Sequence, residues 1–308
     1  MATQRPTLVL VNSSAGSGEA DLVEQVCRAL EQHSLFGTEV VESGSDERYA
    51  AAVASARGRD VVVVGGDGSV NRLLQQLMDQ QLLGSVGAVG VVPVGTGNDL
   101  ARDAGLPLDW CGAAEVAVSG APVARGLLVD TAGRVVTNVV HCGVAAEATA
   151  HAADVKGVLG RTAYTWGAVR AGLTRQGWHL RVVVDGRTVA DGTERLLMVS
   201  AAVGSSVGGG HEIAPNADAG DGQVDVVIAH GTSARARVGF ALDLRRGRHI
   251  ERQDVTVTQG REVLVKAVTS RDAFAVNTDG DVEKDRLRSR RWQLRADAWR
   301  LRAPTRPH

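Results

Sequence analysis

Val61-Val62-Val63-Val64-Gly65-Gly66-Asp67-Gly68-Ser69-Val70-Asn71 is the stretch that decides how this chain is read. Four β-branched residues run into a glycine-rich turn that carries one carboxylate. Leu73, Leu74, Leu77 and Met78 then follow at helical spacing. The pattern predicts a buried strand, a tight loop and the start of a helix. Such a junction offers backbone N–H groups to an anion, and small residues let a phosphate come close. The carboxylate is the unexpected part. It repels a bare phosphate, so it implies a metal ion, a proton to accept or a hydroxyl to hold.

Outward from this stretch, the first 130 residues alternate strand and helix patterns. Thr7–Asn12 reads as a strand that ends in Ser13-Ser14-Ala15-Gly16-Ser17-Gly18, and Leu22, Val23, Val26 and Leu30 mark one helix face. Thr38–Val41 is a short strand and Arg48–Ala56 a helix. Val86–Val92 is a second apolar strand, ending at Pro93-Val94-Gly95-Thr96-Gly97-Asn98-Asp99. Apolar strands separated by helices predict an α/β domain with a parallel sheet covered on both faces. In such a sheet ligands bind at the carboxyl ends of the strands. Three small-residue turns fall on that edge.

From about Val123 the texture becomes β-rich. Strands are expected at Val123–Asp130, Val135–His141, His179–Asp185, Thr188–Ala190, Leu196–Ala202, Val224–Ile228, Val255–Thr258, Glu262–Lys266 and Ala273–Asn277. Helices are expected near Arg161–Thr174 and Ser233–Arg245. The expected fold is therefore an α/β domain with glycine-rich loops over 1–128 and a β-rich, sandwich-like domain over 129–285. A basic segment over 286–308 is expected to pack back on the first domain.

The chain has 308 residues, 44% of them hydrophobic but only 3% aromatic, so its core is built from Ala, Val and Leu. A net charge of −1 gives no general case for nucleic acid. Charge is concentrated locally: Lys284 to His308 holds nine Lys or Arg against two Asp, a candidate face for anionic lipid. Cys27, Cys111 and Cys142 lie far apart without metal-ligand spacing, which points to a reducing cytoplasm. No apolar run reaches the roughly 18–20 residues that span a bilayer. His141 and His211 receive no role.

Two acidic clusters mark the second half. Asp218-Ala219-Gly220-Asp221-Gly222-Gln223-Val224-Asp225 suits a hard cation or a plain polar turn. Asn277-Thr278-Asp279-Gly280-Asp281 is a hairpin turn, a magnesium ligand pair or a proton acceptor for a hydroxyl nucleophile. The chain has no Walker A pattern, no G-x-G-x-x-G after a strand and no protein-kinase signatures.

The combination of Gly65-Gly66-Asp67-Gly68-Ser69, Gly95-Thr96-Gly97-Asn98-Asp99-Leu100-Ala101-Arg102 and Asp279-Gly280-Asp281 resembles the diacylglycerol kinase catalytic superfamily, with bacterial lipid kinases the nearest fit. The resemblance covers nearly the whole chain. It implies a two-domain kinase using ATP and Mg²⁺, with Asn12, Ser13, Ser14, Ala15, Gly16, Ser43, Gly66, Asp67, Gly68, Ser69, Val70, Asn71, Arg72, Gly95, Thr96, Gly97, Asn98 and Asp99 at the nucleotide. It implies a magnesium loop of Asp218, Asp221 and Gln223, and catalytic roles for Asp67 and for Asp279 or Asp281. The implied acceptor is a lipid with a free hydroxyl, reached by peripheral contact with the inner face of an anionic membrane. A homodimer is left open. Four positions depart from the family pattern: Ser13 stands for proline, Ser69 for threonine, Arg72 for glutamate and Asp281 for glutamate. An NAD-kinase-like enzyme with a soluble acceptor, a nucleotide-binding protein without catalysis and a membrane-surface adaptor, which leaves the three glycine loops unexplained, are the rival expectations.

Overall fold

The computed structural model describes residues 5–12, 24–30, 37–144, 146–147 and 177–304. The loop Ser13–Gly18 and the helix expected at Arg161–Thr174 lie outside these residues. The chain forms two compact units, Met1–Gly126 with Ala296–His308, and Leu127–Arg295.

The first unit is built on strands β1 (Thr7–Asn12), β2 (Thr38–Ser43), β3 (Asp60–Gly65) and β4 (Val89–Pro93). They lie side by side in the order β2-β1-β3-β4, all parallel. Parallel strands need covered faces, and the sequence supplies them. Val9, Val11, Val62, Val64 and Val92 form one core with Val26 and Leu30 of helix α1 (24–30) and Ala113, Ala114 and Ala117 of α5 (Trp110–Ser119). On α2 (Asp46–Ala54) Tyr49 and Val53 are buried, and on α3 (Asp67–Asp79) Val70, Leu73, Leu74 and Leu77 are buried. Ser45 caps α2 through Oγ, which accepts from Arg48 N at 3.4 Å, so the helix starts two residues before the expected Arg48. The expected strand over Val86–Val92 begins only at Val89, because the Ala88 N–H turns to the Asp60 carboxylate (2.8 Å).

The second unit is an antiparallel sandwich. One layer orders β14 (Val255–Gly260), β13 (Val224–Ala229), β10 (Met198–Ala202), β7 (Val139–Gly143), β16 (Val276–Thr278) and β17 (Asp281–Val282). The facing layer pairs the first half of β18 (Ser289–Ala303) with β15 (Glu262–Ala267), β8 (Trp178–Val184) and β9 (Arg187–Leu196). Val140, Val199, Val226 and Val276 from the first layer meet Leu180, Val182, Val263, Val265 and Trp292 from the second. Helix α6 (Ala234–Leu244) covers the outer side of the first layer through Phe240, which clusters with Met198, Val227 and Ala229. β5 (Ala121–Asp130) precedes β6 (Val135–Val136), its antiparallel neighbour. The continuous strand expected over Val135–His141 is broken at Thr137–Asn138, because those two N–H groups turn to the Asp279 carboxylate instead of a ladder. β11 (Ser206–Val207) and β12 (His211–Glu212) form a small separate hairpin.

The C-terminal basic segment is a strand. β18 pairs with β15 through Ser289–Gln293, and Leu301 pairs in parallel with Val89 of β4. Arg302 is buried and donates to Gly120 O (2.8 Å) and Asp60 Oδ2 (2.6 Å). Removing one partner of a buried pair leaves the other charge desolvated. Arg302→Ala is therefore expected to lower stability by about 3 kcal/mol, read as a fall in the urea midpoint at constant slope.

His141 of β7 is buried, with Nδ1 2.8 Å from Ser200 Oγ, and burial holds its pKa down to about 4. In the unfolded chain an imidazole titrates near about 6.5. Between these values the unfolded state binds a proton that the folded state refuses, so stability falls as pH drops from about 6.5 to 4. His141→Gln should flatten this part of the urea-midpoint profile relative to the parent, by on the order of 3 kcal/mol across the window. An identical slope in the two proteins would refute the assignment.

Candidate active site

The glycine-rich turns sit at the carboxyl ends of adjacent parallel strands. In register, Asn12 at the end of β1 pairs with Ser43 at the end of β2, and Gly65 of β3 pairs with Pro93 of β4. Gly66 is the N-cap of α3, and Asp67, Gly68 and Ser69 form its first turn. The second turn leads from β4 through Gly95–Gly97 into α4 (Asp99–Asp103), with Asn98 as N-cap in the left-handed region (φ 54°). Asn98 Nδ2 donates to Gly95 O at 2.8 Å and closes the turn on itself.

The two turns touch. A Cβ on Gly95 would lie 2.6 Å from Gly66 Cα, and one on Gly66 would lie 3.1 Å from Gly95 Cα. No other residue type fits at this contact without moving backbone. Asp67 fastens it. Its Oδ2 accepts from Asp99 N and its Oδ1 from Leu100 N, both at 3.0 Å. The carboxylate thus caps the first turn of α4 from the first turn of α3, where the helix dipole also favours negative charge. This answers the question raised by an acidic residue among glycines: its first task is to hold the second turn against the first.

Beside this clasp lies a cavity of about 240 Å³ lined by Leu10, Val11, Tyr49, Val63, Ser69 and Arg72 among others. Arg72 crosses the Tyr49 ring, with its guanidinium carbon 4.0 Å from the centroid, and donates to Asp46 Oδ1 at 2.6 Å. Burial pushes the Tyr49 hydroxyl up to about 12, so the ring is a neutral partner for the cation. The residue that departs from the family glutamate is therefore held in place by a stacked ring and a carboxylate. Sequence reasoning missed Tyr49. It arrives from α2, outside every glycine motif, and only its rarity in an aromatic-poor chain could have drawn notice.

In the second unit, Asp279 and Gly280 are the two turn residues between β16 and β17, with φ of 48° and 98° and with Thr278 facing Asp281 across the turn. Two positive φ values match the hairpin turn that Asp-Gly favours. The Asp279 carboxylate accepts from Thr137 N (2.6 Å), Thr137 Oγ1 (2.8 Å), Asn138 N (3.0 Å) and Val139 N (2.9 Å). Burial pushes its pKa up, and the four donors pull the other way. Asp279, expected to share the role of proton acceptor, has both its carboxylate oxygens engaged by these donors. Asp281, two residues on, is exposed. Thr137 and Asn138 carry no signal in the sequence, because their partner lies about 140 residues away.

The loop Asp218–Asp225 is a pair of tight turns. Gly220 N donates to Asp218 Oδ1 and Gln223 N to Asp221 Oδ1, both at 2.8 Å, and Asp221 N reaches Asp218 O at 3.2 Å. Asp218, Asp221 and Gln223 are exposed. Asp225 is buried, and burial together with the nearby Asp221 charge pushes its pKa up, against the Gln259 amide. Among the described residues no three His, Cys, Asp or Glu side chains are gathered as a ligand set. Ser13, Ser14, Ala15 and Gly16 lie outside the described residues.

Known proteins match both units. The diacylglycerol kinase catalytic domain model matches residues 6–127, and the YegS C-terminal NAD kinase beta sandwich-like domain model matches residues 138–289. The diacylglycerol kinase of Mycobacterium tuberculosis H37Rv is 32% identical over 286 residues, covering 88% of this chain and 87% of that protein. The diacylglycerol kinase of Bacillus subtilis is 28% identical, covering 83% of each. The crystal structure of a Bacillus anthracis diacylglycerol kinase superposes with a TM-score of 0.77 at 18% identity, covering 98% of both chains. With both domain models matched in order and a curated relative at 32% identity along most of its length, this chain belongs to the diacylglycerol kinase catalytic superfamily of bacterial lipid kinases.

Proposed function

We propose that the protein transfers the γ-phosphoryl group of ATP to the free hydroxyl of a diacylglycerol-like lipid. The observation that carries this reading is the clasp of two glycine turns by Asp67 at the ends of parallel strands, beside a cavity walled by Arg72. The N-terminus of α3, with Gly68 and Ser69 in its first turn, suits phosphate oxygens. The cavity beside it is large enough for part of a nucleotide, and Arg72 adds a fixed positive charge there. Asn12 and Ser43, at the ends of neighbouring strands, extend the same edge. Gly95, Thr96 and Gly97 would follow the phosphates from the other side of the clasp.

Phosphoryl transfer depends on in-line positioning and charge neutralisation. The lipid hydroxyl oxygen would attack the γ-phosphorus as the bond to the ADP oxygen breaks, and its proton would pass to Asp281. Asp281 suits this task better than Asp279 because its carboxylate is exposed while that of Asp279 is enclosed by four donors. Magnesium fits the loop of Asp218, Asp221 and Gln223: the donors are all oxygen, and a cation would relieve the repulsion between Asp221 and buried Asp225. Bound magnesium supplies charge that helps order an acidic loop; the Asp221 carboxylate and the carbonyls of Asp218 and Gln223 would hold it.

An ATP-phosphotransfer assay on a panel of diacylglycerol, sphingosine and NAD tests the acceptor. Product from diacylglycerol is expected, and product from NAD alone would sink the lipid reading. Asp281→Asn should lower kcat by on the order of 10²–10³ with the ATP KM and the melting temperature unchanged. Asp279→Asn should instead lower the melting temperature, since it removes a charge from four donors. Asp67→Ala should do both: turnover is lost, and the first unit is destabilised by about 1–2 kcal/mol as α4 loses its cap. Full turnover in Asp67→Ala would overturn its place at the site.

A further inference from the structure

The basic run from Lys284 to His308 was the expected lipid-facing surface, but much of its charge is used internally. Arg286 pairs with Glu147 (2.5 Å), Arg290 with Asp130 and Glu283 (2.8 Å each), Arg291 with Glu262 (3.5 Å) and Arg302 with Asp60 (2.6 Å). Among the described residues of this run no large apolar side chain is exposed.

Helix α6 carries a different combination. Ser233 caps it through Oγ, which accepts from Ala236 N at 3.2 Å. Phe240 faces inward and meets His249 edge-on, at 5.7 Å between ring centroids. Val238 and Leu242, one turn apart, face outward and are each 49% exposed, a high value for large aliphatic side chains. Around them Arg235, Arg245 and Arg246 are exposed, and among the described residues none of the three has an ion-pair partner. Two of the nearby acids are already engaged, while Glu212, whose Oε2 lies 3.4 Å from where a Cβ on Gly247 would stand, is one carboxylate against the three arginines. Asp243 accepts from Arg252 at 2.8 Å, and Glu251 lies 3.6 Å from Arg248. The face thus presents two exposed aliphatic side chains and three arginines without ion-pair partners among the described residues, a net positive surface even with Glu212 counted.

We propose that this face of α6 docks on the surface of an anionic bilayer. Val238 and Leu242 enter the headgroup boundary while the arginines meet lipid phosphates. Charge complementarity selects this occupant. A two-fold interface with a second copy would set arginine against arginine, because both subunits offer the same patch. The proposal rests on the lipid-acceptor reading for its purpose, since a kinase of diacylglycerol must work where its acceptor is dissolved. The docking itself does not depend on it.

The test is cosedimentation of the full chain with vesicles of phosphatidylcholine alone or mixed with phosphatidylglycerol. Binding is expected only to the mixed vesicles and should weaken as salt rises. The triple change Arg235→Gln, Arg245→Gln, Arg246→Gln should weaken it by on the order of 100-fold. Val238→Ser with Leu242→Ser should weaken it about tenfold. Both variants should keep the parent melting temperature and the parent turnover of a short-chain diacylglycerol supplied as dispersed monomers. Undiminished vesicle binding in both variants would overturn the proposal. So would a parent dimer in sedimentation velocity that Val238→Ser with Leu242→Ser makes monomeric. Vesicle binding lost as expected in the variants, from a parent that phosphorylates no lipid, would support this surface while overturning the acceptor.

Discussion

The contact between Gly66 and Gly95 is the constraint on which the rest of the site depends. Two strand-to-helix turns can approach this closely only if neither carries a side chain, and they stay together only if something bridges them. Asp67 does so with two hydrogen bonds into the start of α4. The geometry of both turns, the direction of α3 and the mouth of the cavity beside Arg72 all follow from it. A carboxylate that looks like a reagent in the sequence is first a fastener.

The same device recurs in the second unit. Asp279 gathers Thr137, Asn138 and Val139, interrupts what would have been a continuous strand, and fixes the turn that presents Asp281. Asp185 takes the N–H groups of Arg261 and Glu262, and Asp272 takes that of His179. In each case a short acidic side chain satisfies backbone donors remote in sequence, where no regular ladder reaches them. Several aspartates of this chain are thus architectural, and Asp279 and Asp281 differ in that only the first has its carboxylate enclosed by backbone donors.

The layer plan was legible from the chain because it rests on periodicity. Val61–Val64 is apolar at every position and became a central parallel strand, and the alternating segments after Val123 became a sandwich. The glycine turns were legible because glycine at a strand end has few uses. What could not be read were interactions that cross the fold. Tyr49 under Arg72, and Thr137–Asn138 around Asp279, join segments with no shared local pattern. The break in the Val135–His141 run has the same origin: both halves are good strand sequence, and only the distant carboxylate divides them. The different surroundings of Asp279 and Asp281 were likewise invisible, since two aspartates flanking one glycine look alike in the sequence.

The pairing of Arg302 with Asp60 has a consequence for how the protein is made. The parallel strands of the first unit fall within residues 7–93, yet Arg302, one of the unit's buried arginines, comes 242 positions after Asp60. During synthesis Asp60 must wait, with half its partners missing, until the whole sandwich unit has emerged. The first unit is therefore complete only after the second has been translated. Its final step closes a long loop, a slow, high-contact-order event. Until then the strand edge that carries the glycine turns rests on a sheet that still lacks the Arg302 contact.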